Sequence, residues 1–172
     1  MSDADVRSAE RIRWLFAQKE LACSRYERAL ARTLGLTEQE LRALVVIARH
    51  GEISLTVLRL RVGGLSAQAA SAVATRLERH DLVERRRDRD DRRRVLLRLT
   101  GEAEAVLQVG FAGLAARLDR VFLGLPEDQR TVVATFLARI ADASAEAAAE
   151  AETFPPAPAG ADSVRAARRR HG

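Results

Sequence analysis

Residues 65–100, LSAQAASAVATRLERHDLVERRRDRDDRRRVLLRLT, constrain the fold more than any other stretch of this chain. The first half has the spacing of a helix buried along one side. Ser66 is an N-cap type, and Ala70, Val73 and Leu77 recur every three to four residues. Ala67, Gln68, Ser71, Thr75, Arg76 and Arg79 are left facing outward, small or polar near the start and basic toward the end. Such a helix can fit closely in a major groove and meet phosphates as it leaves. Ser66, Ala67, Gln68, Ser71, Thr75 and Arg76 are therefore the candidate DNA-facing residues, with Gln68 and Ser71 as base readers and Arg76 on a phosphate or a guanine.

The helix should stop near His80 and Asp81. Beyond it, Leu82 and Val83, and then Val95, Leu96, Leu97 and Leu99, form two β-prone runs joined by a long polar connection, the pattern of a hairpin. Residues 84–94 hold seven arginines against four acids. A turn needs polar residues but not that many guanidinium groups, which suit phosphate forks and narrow minor grooves. A solvated charged loop is the alternative reading of such a run. Its place directly after a helix with a polar outer face favours a DNA-binding wing, with Arg87, Arg89, Arg92 and Arg93 as contacts. Asp88, Asp90 and Asp91 would repel phosphate if all faced it, so at least one should turn inward and orient an arginine.

The segment RLERHDLVERRRDRDDRRRVLLRLT resembles the wing signature of MarR-type transcriptional regulators: a recognition helix ending in RLE, an Asp-x-Arg, and a closing Leu-Thr. Here these are Asp91-Arg92-Arg93 and Leu99-Thr100. The resemblance implies that Asp91 positions Arg93 at the wing tip for the minor groove. Two residues depart from the pattern, Asp81 in place of a helix-ending glycine and Arg89 in place of a frequent proline. Aspartate tolerates left-handed backbone better than most residues, so Asp81 is compatible with the fold. The implied fold is mainly α with a small β-wing, a winged helix-turn-helix carrying N- and C-terminal dimerisation helices.

At 172 residues, 47% of them apolar and only 4% aromatic, the chain suits one domain, with or without extended arms, of helices packed on helices. The net charge of +5 points to a polyanionic partner. The polar N-terminus and the lack of any apolar run near the roughly 18 residues of a membrane span point to a cytoplasmic protein without a membrane partner. A single cysteine, Cys23, rules out an internal disulfide framework. No Cys/His spacing fits zinc, no nucleophile has a positioned base, and no glycine loop could cradle phosphate, so neither an enzyme nor a cofactor or metal is expected.

Along the chain, Ile12, Leu15, Phe16, Cys23, Tyr26, Leu30 and Leu34 mark a long amphipathic helix ended by Gly35. Thr37 and Glu40 form a capping box for a helix with Leu41, Leu44, Val45 and Ala48 inward, ending at Gly51. Ser54 caps a short helix with Leu55, Leu58 and Val62 inward, broken by Gly63-Gly64 before the recognition helix. Thr100 caps a fifth helix bearing Ala105, Leu107, Phe111, Leu114, Leu118 and Phe122, which ends at Gly124. Pro126-Glu127-Asp128 starts a sixth, packed through Val132, Val133, Phe136, Leu137 and Ile140 and then nearly all Ala and Glu to Glu152. The expected division is 1–34 and 101–152 for dimerisation, 35–100 for DNA binding, and 153–172 as a disordered basic tail.

The terminal helices carry more apolar positions than a small winged helix can cover, and the resemblance gives them a use as a homodimer spacing two recognition helices one DNA turn apart. The expected function is therefore a dimeric sequence-specific regulator on an inverted-repeat operator of double-stranded DNA, a repressor released by a small ligand. The alternative is a non-specific architectural nucleic-acid-binding protein. Relatives in the family often bind a small aromatic or anionic effector, for which Trp14, Phe16, Tyr26, His50 and Phe111 are the candidate lining, each also readable as ordinary core. Cys23 reads as a buried, inert thiol.

Overall fold

The structure, a computed structural model, describes residues 2–63, 65–88, 91 and 94–152. Its elements are α1 (Asp3–Thr33), α2 (Glu38–His50), β1 (Glu52–Ser54), α3 (Leu55–Val62), α4 (Ala67–Arg79), β2 (Val83–Arg87), β3 (Val95–Leu99), α5 (Gly101–Leu123) and α6 (Glu127–Glu152). The chain is mainly helical with one small antiparallel sheet, as the sequence indicates. It divides into two compact units, one ending at Ala116 and the other beginning at Arg117.

In the first unit α2 is central and packs against α1, α3, α4 and the sheet. Leu44, Leu58, Leu77 and Leu97 are wholly removed from solvent, and each such burial stabilises by about 1.5–3 kcal/mol. From α4 the core takes Ala70, Val73, Ala74 and Leu77. The two alanines leave room for neighbouring elements to approach this helix closely. On α5, Gly110 lies against α1, where an added Cβ would stand 3.0 Å from Leu30 Cδ1.

Both long-range turns out of helices are built alike. At the end of α1 the Leu36 N–H donates to Ala31 C=O at 2.8 Å and the Gly35 N–H to Arg32 C=O at 3.2 Å, with Gly35 at φ +68°. This is the Schellman arrangement that satisfies the last helical carbonyls. At the end of α4, Leu82 N–H donates to Leu77 C=O at 2.9 Å and Asp81 N–H to Glu78 C=O at 3.1 Å, and Asp81 adopts φ +55°. Asp81 thus fills the glycine position of the motif. The Thr100 hydroxyl then donates to the Asp81 carbonyl at 2.6 Å and accepts from the Ala103 N–H at 3.2 Å, which caps α5.

The sheet order is β1-β3-β2. Val83 pairs with Leu99 and Arg87 with Val95 in the hairpin, while Ile53 of β1 pairs with Leu97 on the other edge. Parts of the first unit differ from the sequence reading. β1 is absent from it, because three residues with one inward side chain are too short to show a period. On α2, Ile47 is buried and Ala48 exposed. That helix meets partners on several sides, so its buried arc extends through Ala43 and Ile47. On α5, Ala103 rather than Ala105 turns inward, set by the cap at Thr100.

In the second unit the Arg130 Nη1 donates to the Leu125 carbonyl at 2.7 Å across the α5–α6 turn. The first half of α6 is less covered than expected: Val132, Phe136 and Leu137 are 68%, 39% and 44% exposed. A short helical hairpin has too little opposing surface to cover them. Among the described residues no helix is long and apolar enough to cross a membrane.

An ion pair crosses the helix-turn-helix. Glu40, buried at the start of α2, accepts from the Thr37 N–H at 2.8 Å and the Thr37 hydroxyl at 2.9 Å on one oxygen, and from Arg76 Nε on the other at 2.5 Å. Burial by itself would raise this carboxyl's pKa, but the Thr37 N–H, the Arg76 guanidinium and the Thr37 hydroxyl outweigh it and hold the pKa below its ordinary value. A carboxyl lowered on folding adds stability that is complete at neutral pH and disappears as pH falls through the folded value. Urea unfolding at a series of pH values should show stability declining through the carboxylate range, with a shallower decline in Glu40→Gln. An identical decline in both proteins would remove Glu40 from the account. A second expectation concerns Asp81. Asp81→Val should lose about 1–2 kcal/mol because left-handed backbone is worst for β-branched residues, whereas Asp81→Gly should be no less stable than the native protein. The same unfolding measurement decides both.

Candidate nucleic-acid interface

Ser66 caps α4 by accepting the Ala69 N–H on its hydroxyl at 3.1 Å. With Ala70, Val73, Ala74 and Leu77 turned inward, Ala67, Gln68, Ser71, Ala72 and Thr75 are exposed along the opposite side, followed by Arg79. Gln68, Ser71, Ala72, Thr75, Arg76 and Arg79 line one shallow surface depression. The residues expected to face DNA from this helix therefore share one face, to which the structure adds Ala72. Its methyl keeps the middle of the helix low, so a groove wall can approach without a clash.

Arg76 differs from the others. Its side chain is 42% exposed and its Nε is engaged by Glu40. It is both a brace between α4 and α2 and part of the outward surface. A second brace joins α4 to the wing. Arg85 of β2 donates from Nε to Glu78 at 2.9 Å and from Nη2 to the Thr75 hydroxyl at 3.3 Å. The Glu78 and Arg85 roles were not legible in the sequence, where Glu78 read as part of the charged helix end and Arg85 as part of the polar connection that the structure shows to begin with β2. A pair linking a helix to a strand has no fixed spacing by which to find it.

The wing closes through its backbone: Asp88 N–H donates to Arg94 C=O at 3.0 Å, and Arg94 N–H to Asp91 C=O at 2.8 Å. Asp88 turns inward, its side chain 15% exposed and 3.7 Å from Arg94 Nη1. Arg86 pairs with Glu84 at 3.0 Å, and Arg87 is exposed. Arg89, Asp90, Arg92 and Arg93 lie outside the described residues, and with them the expected pairing of Asp91 with Arg93.

Of the five residues suggested for an effector site, two meet. The Tyr26 hydroxyl donates to the Gly110 carbonyl, and its ring lies 5.9 Å from that of Phe111, tilted by 51°. Phe16 is half-buried with the Lys19 ammonium 5.9 Å from its ring centre. Trp14 is 61% exposed, and it precedes Tyr26 on the same helix by about 18 Å of axis. His50 is exposed in the last turn of α2. Cys23 is a half-buried free thiol.

Residues 34–94, which span α2 through the wing, match the model of the MarR family. Over 110 residues the chain is 28% identical to the HTH-type transcriptional repressor MdtR of Bacillus subtilis (strain 168), an alignment covering 64% of this chain and 70% of that protein. Similar solved structures include a MarR-family transcriptional regulator from Silicibacter pomeroyi, 20% identical with a TM-score of 0.63, covering 81% of this chain and 94% of that one. NadR in complex with 4-hydroxyphenylacetate is 24% identical with a TM-score of 0.59, covering 74% and 89%. Those two likenesses speak for the fold, and the family match falls on the segment that carries the polar helix face and the wing. Residues 34–94 of this chain are thus similar to the MarR family, and its fold is that of the winged-helix regulators it resembles.

Proposed function

We propose that two copies of this chain form a two-fold dimer that binds an inverted-repeat operator in double-stranded DNA and represses transcription. The observation that carries the reading is the outer face of α4: small and polar from Ala67 to Thr75, basic at Arg76 and Arg79, and braced to both α2 and β2. Gln68 and Ser71 read base edges, Ser66, Ala67 and Thr75 line the approach, and Arg76 meets the backbone. Arg93 enters the flanking minor groove, oriented by Asp91, with Arg87, Arg89 and Arg92 on phosphates. Residues 35–100 are the DNA-binding domain in this reading, and 153–172 a basic tail. Such a protein works in the cytoplasm beside its DNA.

Dimerisation is assigned to 1–34 and 101–152. Ile12, Trp14, Leu15 and Leu21 of α1 are exposed, as are Leu118, Val121, Phe122 and Leu123 of α5 and Phe136 and Leu137 of α6. Large apolar side chains repeated along helices favour association with another apolar surface. Repression follows the role named for the MdtR relative. Release by a small aromatic acid is the effector class suggested by the ligand of the NadR complex. Trp14, Phe16, Tyr26, His50 and Phe111 are the candidate contacts, of which Tyr26 and Phe111 adjoin.

Selection of genomic fragments by the purified protein at physiological salt tests the reading. One inverted-repeat motif with half-sites about a helical turn apart supports it, whereas retention without a motif favours non-specific architectural binding. On the selected operator, Arg93→Ala should cost about 1–3 kcal/mol of binding free energy, and unchanged affinity would reject its minor-groove role. Sedimentation should show a dimer for the native chain and a monomer for Phe136→Asp/Leu137→Asp; a monomeric native chain at micromolar concentration would refute the assembly.

A further inference from the structure

The pair between Glu40 and Arg76 goes beyond the needs of a capping box. Thr37 and Glu40 complete that motif on their own, yet the second carboxylate oxygen is directed to an arginine from another helix. Only Nε of Arg76 is used, and its two terminal nitrogens have no partner among the described residues. Arg76 also belongs to the outward surface that Gln68, Ser71, Thr75 and Arg79 line. A guanidinium fixed along one edge before binding loses less side-chain freedom when its other edge engages a ligand.

The place of Arg76 on α4 indicates which ligand atom it meets. In a recognition helix the N-terminal residues reach base edges. Arg76 is the tenth residue of α4 counted from Ala67, about 13 Å further along the axis at 1.5 Å per residue. A residue that far along has passed the floor of the groove and faces the sugar-phosphate wall. We propose that Glu40 is a positioning residue for DNA binding, holding Arg76 by its Nε so that the terminal nitrogens stand as a pre-set fork for one backbone phosphate. The proposal rests on the DNA-binding reading above and assigns Glu40 a role that its charge alone would contradict.

That contradiction supplies the test. If the pair only stabilised the fold, replacing Glu40 would remove a negative charge near DNA and tighten binding. If Glu40 positions Arg76, the replacement loosens binding, and only while Arg76 is present. Glu40→Gln retains a residue suited to the capping box, and Arg76→Met retains the apolar stem of the side chain. Affinities of the native chain, both single variants and the double variant would be measured on the selected operator and on a mixed-sequence duplex of equal length, across a salt series. Urea unfolding would confirm that all four proteins are folded under the binding conditions.

Glu40→Gln is expected to weaken binding by about fivefold in the native background, within the range of coupling between contacting residues, and not to weaken it in the Arg76→Met background. Arg76→Met is expected to lower the slope of log affinity against log salt by about 0.9 on both duplexes, the signature of one lost phosphate. Tightening by Glu40→Gln of equal size in both backgrounds would overturn the positioning role. An Arg76→Met effect confined to the operator would overturn the phosphate assignment. A native chain with no operator preference, but with residues 40 and 76 still coupled on mixed DNA, would remove the operator reading and leave this proposal standing. Operator preference with additive variants would do the reverse.

Discussion

Val73, Ala74 and Leu77 bury the inner side of α4 in the core shared by α2, α3 and the sheet, with the small Ala70 buried one turn earlier. Large-to-small changes at such sites typically cost 2–5 kcal/mol, so this packing fixes which side of the helix remains bare. The outer residues are free to be chosen for what they contact, since none of them is needed to hold the helix in place by burial. The two braces refine the result. Arg76 ties the helix to α2, and Arg85 ties it to β2 through Glu78 and Thr75. The candidate reading surface is thus fastened to its neighbours on both sides.

The same braces explain why so arginine-rich a segment also carries acids. Arg76, Arg85, Arg86 and Arg94 each face a carboxylate, from Glu40, Glu78, Glu84 and Asp88 respectively. The half-exposed pairs of Arg85 and Arg86 contribute little to stability, so their effect is chiefly geometric, whereas the Arg76 pair rests on the buried Glu40 carboxylate. They set side-chain direction in a region where unguided arginines would repel one another. Among the described residues the charge of the segment is thereby divided between arginines that face a carboxylate and exposed ones such as Arg87.

Much of this was legible in the sequence because the signals are local. Ser54, Ser66 and Thr37 cap the helices they precede, and the three-to-four spacing of Ala70, Val73 and Leu77 gives the face of α4. Asp81 could be read as a left-handed residue because it stands where the wing pattern of the family has glycine, and its backbone agrees. Long-range pairing was not legible. Glu40 announces its bond to Thr37, three residues away, but nothing in the order of residues announces Arg76. β1 is a three-residue strand whose existence depends on β3 lying beside it. Ile47 and Ala103 turn inward because of what packs against them rather than because of a repeat.

Thr100 has a mechanical consequence that extends past its capping role. One hydroxyl group touches the carbonyl that terminates α4 and the amide that opens α5, while the Thr100 N–H donates to the Leu82 carbonyl at 3.2 Å. The end of α4, the base of the hairpin and the start of α5 therefore meet at a single pivot. No slack linker separates them. A rotation at the start of α5 has no compliant segment in which to dissipate before it reaches α4, so the joint behaves as a rigid crank between those two helices.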